Sequence, residues 1–222
     1  MIDKKVEVAI DAALTAFSKY SSFNAEPFSE PIAEVFNSGE DFMSKVAMLD
    51  EVFDDYPQLE VLREVFFDLL LVNFFSADVK KLEEDYLDSP EWEAIEEETL
   101  DRGTELLNLL LYLNECEDED IEPGLEDYLK EFLLVDEDEF QDEYRIYEPV
   151  IANQILMESP VSEIAKVASN LPADSELSEI FYSMMCFFHN TDPSEKETDE
   201  IGRFAPDPAF DMAALEILIS FR

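Results

Sequence analysis

Residues 57–76 read PQLEVLREVFFDLLLVNFFS, and this stretch decides the fold class. Leu59, Leu62, Val65, Phe66, Leu69, Leu70, Val72 and Phe74 leave almost no polar face, so a helix here has to be surrounded by other helices. Its longest apolar part, Val65 to Phe75, is broken by Asp68 and Asn73 and is much shorter than the roughly 20 residues that span a bilayer. Pro57 suits the first position of a helix, where no backbone N–H is needed. The segment is therefore expected at the centre of a water-soluble core.

Working outward from it, periodicity predicts helices on both sides. Ile2, Val6, Ala9, Ala13, Phe17 and Tyr20 fall on one face of a helix over residues 2–20. Ser29 is read as the cap of a short helix to Phe36, stopped by Gly39, and a third helix covers 41–54. A short helix is expected at 78–87. Ser89-Pro90-Glu91 then gives a cap, a first-position proline and an acid in the first turn. The series Trp92, Ile95, Thr99, Gly103, Leu106, Leu110 and Leu113 carries that helix to about 115. Six like charges in ECEDEDIE, 115–122, predict a flexible connection there. Further helices are expected at 123–135, 138–158 (kinked at Pro149), 160–170, 175–189 (capped by Asp174) and 207–221, with 190–206 an exposed loop. The expected architecture is all-α, a bundle of about nine or ten helices. Residues 1–115 and 116–222 form two possible lobes, or one continuous domain.

Composition agrees with a folded helical chain. Of 222 residues 47% are hydrophobic, 18 are Phe and only four are Gly, too few for glycine-rich phosphate loops or a β-sandwich. Two cysteines, Cys116 and Cys186, do not make a disulfide framework, and MIDKKVEVAIDAAL has no continuous apolar segment of a secretory leader. A reduced, cytoplasmic setting is expected.

The formal net charge is -42, and it is uneven. Residues 83–148 hold 27 of the 56 acids against three bases, Arg102, Lys130 and Arg145. Adaptation to high salt would spread carboxylates over the whole surface. Such clustering costs stability by self-repulsion and repels nucleic acid and anionic membrane, so the expected partner is a basic protein.

Chemistry-bearing patterns are few. The single His189 limits nucleophilic catalysis, and no G-x-S-x-G elbow is present. Cys186 and His189, three apart, lack the further ligands that zinc requires, so the plain reading is a packed thiol beside a His at a helix end. Asp136, Asp138, Phe140 and Asp142 have the spacing of a calcium loop, but Gln141 stands where the turn needs Gly and Tyr147 where the last Glu belongs. Glu93-x-x-Glu96 followed by Glu115-x-x-Asp118 resembles the magnesium-binding pattern of helical nucleotide pyrophosphohydrolases. That resemblance implies a magnesium-dependent phosphohydrolase, although acid pairs three apart are common by chance when 56 of 222 residues are acidic. No cofactor and no metal is assigned.

The remaining feature is the acidic surface. Carboxylates four apart on a helix are spaced by about 6 Å along its axis and can stand in for a line of phosphates. In composition and charge placement the chain resembles helical DNA mimics. One row would be Glu91, Glu97, Glu98, Asp101 and Glu105; the other Glu117, Asp118, Glu119, Asp120, Asp136, Glu137, Asp138, Glu139, Asp142 and Glu143. The expected function is masking a basic surface, with a nucleic-acid-binding protein as target. A helical chaperone or adaptor that holds a basic or amphipathic peptide in an apolar groove is the alternative, and a solubilising acidic face the plainest reading.

Overall fold

A computed structural model describes residues 2–76, 86, 88–132, 134–136, 139–140, 146–172 and 174–222. The protein is an all-α bundle, with ten helices of seven residues or more among the described residues. They are α1 Lys4–Tyr20, α2 Ser29–Asn37, α3 Phe42–Asp55, α4 Arg63–Ser76, α5 Pro90–Thr99, α6 Leu106–Glu119, α7 Val161–Ala168, α8 Phe181–His189, α9 Glu195–Phe204 and α10 Pro208–Phe221. Leu134–Asp136 and Glu139–Phe140 pair as a minimal antiparallel ladder, a local hairpin that adds no layer. Among the described residues no helix is long and apolar enough to cross a membrane.

The first and last long helices form the most extensive pairing. Asp3 caps α1 by accepting from the Lys5 N–H at 2.8 Å, and Asp207 caps α10 by accepting from the Phe210 N–H at 3.3 Å. Lys5 Nζ at the start of α1 donates to the Phe221 carbonyl at the end of α10, 3.2 Å away, so the two run antiparallel. Ala9, Ala13 and Ala16 on α1 and Ala213 and Ala214 on α10 are all buried, and these small side chains let the backbones approach closely.

Helix α4 lies at the centre, packed on α1, α3 and α6, as its sequence requires. Its first part differs from expectation: Pro57–Leu62 is a 3-10 segment, and the α-helix begins at Arg63. Phe66 joins Phe28 and Phe53 in an edge-to-face cluster with centroids 4.9 to 5.8 Å apart. The buried apolar residues of α1 through α10 make one core.

Several other boundaries move. Ser29 opens α2 without capping it, because the 3-10 turn Glu26–Phe28 runs straight into the helix. The single helix expected from 90 to 115 is two, α5 and α6, because Gly103 adopts φ +84° and turns the chain. The acidic run 115–122 is not a loose connection as far as Glu119. Cys116 continues the buried stripe of Leu109, Tyr112 and Leu113, and that burial outweighs the repulsion along the outer face. The chain leaves α6 at Asp120, whose φ of 56° makes a left-handed stop.

Among the described residues, the helices expected at 123–135 and 138–158 are short pieces instead: Leu125–Asp127, a π-turn Tyr128–Phe132, the ladder, a turn Glu148–Ala152 started by Pro149, and the 3-10 segment Gln154–Glu158. Asp174 does not cap α8, which starts at Phe181 after a 3-10 turn Glu176–Ser178. The expected loop 190–206 contains α9, started by a capping box in which the Glu197 carboxylate accepts from the Ser194 N–H at 2.9 Å. The helix expected at 78–87 lies almost wholly outside the described residues.

Candidate acidic interface

What separates α5 from α6 is a clamp built on the outer edge of α4. Glu64 accepts from the Gly103 N–H at 2.7 Å and from Arg102 Nε at 3.0 Å. One turn further along, the Asp68 carboxyl accepts from the Thr104 N–H at 3.0 Å and from its hydroxyl at 2.6 Å. Asp68 is fully buried, and burial drives its carboxyl well above the usual range against the opposing Thr104 bonds. A Cβ on Gly103 would lie 2.5 Å from Asp68 Oδ1, so only glycine fits both the φ and the space. Arg102 stacks on Phe67, 4.9 Å from the ring centre, and binds Asp50 at 3.0 Å as well as Glu64. Arg63 completes the joint through Asp50, Asp54 and Glu60 at 2.7 to 3.1 Å.

This clamp fixes how the first acidic row is displayed. Helix α5 buries Ile95 and lays Trp92 against Phe75, centroids 5.1 Å apart. Glu91, Glu93, Glu96, Glu97, Glu98 and Asp101 are all exposed, and none has a cationic partner among the described residues. Arg102, the base nearest them in sequence, is turned inward to α3 and α4. Glu105 does not belong to the row. It is half-buried, accepting from the Tyr147 hydroxyl at 2.6 Å and from Asn108 Nδ2 at 3.0 Å, and Tyr147 in turn meets the Tyr128 hydroxyl at 2.7 Å.

The second row starts on the outer face of α6. Glu115, Glu117, Asp118, Glu119 and Asp120 are exposed. Glu117 pairs with Lys5, Glu122 is 3.9 Å from Arg222, and Lys130 answers Glu126. Asp136 and Glu139 lie in the short ladder. Glu137, Asp138, Asp142 and Glu143, with Arg145 and most of the calcium-like run, lie outside the described residues.

A cleft that the sequence did not reveal lies beside the clamp. One cavity of about 570 Å³ lies between the 100–105 turn and residues 174–179, and a second of about 360 Å³ lies between Val61, Ala168, Tyr182 and the start of α10. Both are lined by Ser178 and Glu179, so they are neighbouring halves of one groove. Leu100, in the lining of the first, is 83% exposed, and Val61, in the lining of the second, is 53% exposed. Asp211, which lines the second half, is buried. Burial pushes its carboxyl up to about 7, although the Asp207 N–H donates to it at 2.8 Å. The one signal of this site in sequence is an acid inside the apolar run 208–221.

The other chemical candidates do not assemble. No three His, Cys, Asp or Glu among the described residues come together as a metal site, so Glu93, Glu96, Glu115 and Asp118 form no such cluster. His189 ends α8 with Nε2 2.9 Å from the Ser159 carbonyl, and Cys186 is buried, its thiol pushed up to about 12 by that burial. No known protein family, curated protein or solved structure matches the chain.

Proposed function

We propose that the protein binds and masks a basic surface of a protein partner, presenting carboxylates where that partner would receive nucleic-acid phosphates. The observation that supports this reading is the uncompensated row on α5 and the turn after it: five exposed glutamates and Asp101, none with a cationic partner among the described residues, on a helix held in place by the Glu64 and Asp68 clamp. A rigid display avoids much of the ordering cost that a flexible acidic tail meets on binding. Long-range attraction to a basic surface speeds encounter and rejects acidic partners.

The test is capture from a lysate on the immobilised chain at about 50 mM and about 300 mM salt, between which the Debye length falls more than twofold. Retention of nucleic-acid-binding proteins at low salt and their displacement by added DNA is the expected result. Glu97→Gln alone should change retention less than threefold, because exposed ion pairs are individually weak. Neutralising Glu91, Glu97, Glu98 and Asp101 together should abolish it. Equal losses from one substitution and from four would refute collective masking.

A further inference from the structure

We propose that the groove beside the clamp seats an amphipathic basic segment of the partner, with one lysine or arginine head at Asp211 and an apolar side chain against Leu100. This rests on the reading of the partner as basic. It adds a second, partly apolar contact at a different place from the α5 face.

Three features argue for that occupant. The groove is acidic at its rim: Asp101, Asp174, Glu176, Glu179 and Asp207 are all exposed and have no cationic partner among the described residues. Arg102, which also lines it, has its guanidinium engaged by Asp50 and Glu64. The wall around Asp211 is apolar. In a chain so heavily charged, Leu100 in the lining of the first cavity and Val61 in that of the second stand exposed, and Phe210, Tyr182 and Pro206 line the half that holds Asp211. The floor carries a fixed acceptor: Asp211 is only 4% exposed, its Oδ2 takes the Asp207 N–H, and its Oδ1 receives no hydrogen bond among the described residues. A lysine or arginine suits this combination because its alkyl stem covers apolar wall while its head reaches a carboxylate. Asp101 belongs both to the rim and to the α5 row, so a single basic partner can span the two. A second copy of this acidic chain would be repelled by the rim.

The experiment uses the full chain and two fluorescent peptides, one of alternating leucine and lysine and one oligolysine of equal charge, with binding read by anisotropy. Asp211→Asn keeps the shape and the acceptor for the Asp207 N–H. Leu100→Ser alters a side chain that contributes almost nothing to the core, so folding is not at stake. Each should weaken the leucine–lysine peptide about tenfold, the scale of one charge-assisted hydrogen bond or one well-packed apolar contact. Both should leave oligolysine unchanged, while replacing Glu91, Glu93, Glu97 and Glu98 together by Gln, which keeps Asp101 on the rim, should release oligolysine. If neither groove variant alters the leucine–lysine peptide, the groove proposal fails, and the oligolysine response decides the masking reading separately. Competition by a simple alkyl diamine at the peptide's own concentration, or a dimer in sedimentation that Asp211→Asn dissolves, would also overturn it, assigning the groove to a small cation or to a second copy.

Discussion

Replacing Asp211 by Asn should stabilise the protein, and by more at high pH than at low pH. The carboxyl titrates near 3.8 in an unfolded chain but is pushed up to about 7 in the fold, first by burial and then by the neighbouring Asp207 charge, against the Asp207 N–H bond. Between those values the folded state keeps a proton that the unfolded chain has released. Stability is therefore complete below pH 3.8, declines through the window and is flat above pH 7. Asparagine has no such window. Measurements have to stay above the isoelectric point of 4.1, where the chain would precipitate, so pH 5 and pH 8 are the useful pair. About two pKa units lie between pH 5 and 7, a ceiling of ~3 kcal/mol at about 1.4 kcal/mol per unit. The cavity that Asp211 lines admits water and screens the charge, so the advantage of the variant should grow by about 2 kcal/mol. In a protein of this size that is roughly 4–8 °C in melting temperature. The assay is urea unfolding of both proteins at both pH values. The repulsion among the other acids is common to the two and drops out of the difference. A gap that stays constant, or that narrows at pH 8, would refute the reasoning.

Two further perturbations probe the packing. Gly202→Ala places a methyl inside the contact distance of the Tyr20 ring, where α9 lies on the end of α1, and should cost about 1–3 kcal/mol in urea unfolding. An unchanged midpoint would show that α9 is not seated on Tyr20. Both thiols are buried and burial raises both, Cys186 to about 12, so neither should react with a thiol reagent at pH 8 until urea unfolds the chain and two equivalents appear together. Rapid labelling of either one in the native state would contradict the packing of α6 or α8.

Much of the fold was legible because burial dominates it. The apolar series of α1, α4 and α10 are long, and the cap Ser89 lies directly before its helix, accepting from the Trp92 N–H at 3.2 Å. Errors arose where one residue overrides periodicity. Gly103 fits the apolar spacing of a continuous helix, and only the Asp68 carboxyl, 35 residues earlier in the chain, shows why it must turn. Along 115–119 the charge of the outer face hides the buried stripe through Cys116. The α9 helix did announce itself, since Ser194 and Glu197 stand in capping-box spacing, but polar composition and nearby prolines masked that signal. The acids of α5 were legible as an exposed face. The groove was not, because Leu100, Asp174, Val61 and Asp211 are brought together only by tertiary packing.

The distribution of bases explains why the acidic faces remain open. Arg63 and Arg102 bind three and two carboxylates at the joint between α3, α4 and the 100–105 turn, and both stack on phenylalanine rings. Lys5 ties α1 to α6 through Glu117 and to the end of α10 through the Phe221 carbonyl, and Lys19 joins α1 to α9 through Asp199 at 2.8 Å. These bases sit where helices meet, with Arg63 and Arg102 mostly buried, so their attraction is screened less than that of surface pairs. A chain that merely needed solubility could have interspersed lysines among the glutamates of α5 and gained intrahelical pairs worth a few tenths of a kcal/mol each. Instead α5 carries five glutamates and no lysine or arginine. That repulsion is stored on the face which the clamp holds outward. A basic partner would relieve it on docking, which links the internal ion pairs of the scaffold to the affinity of its surface.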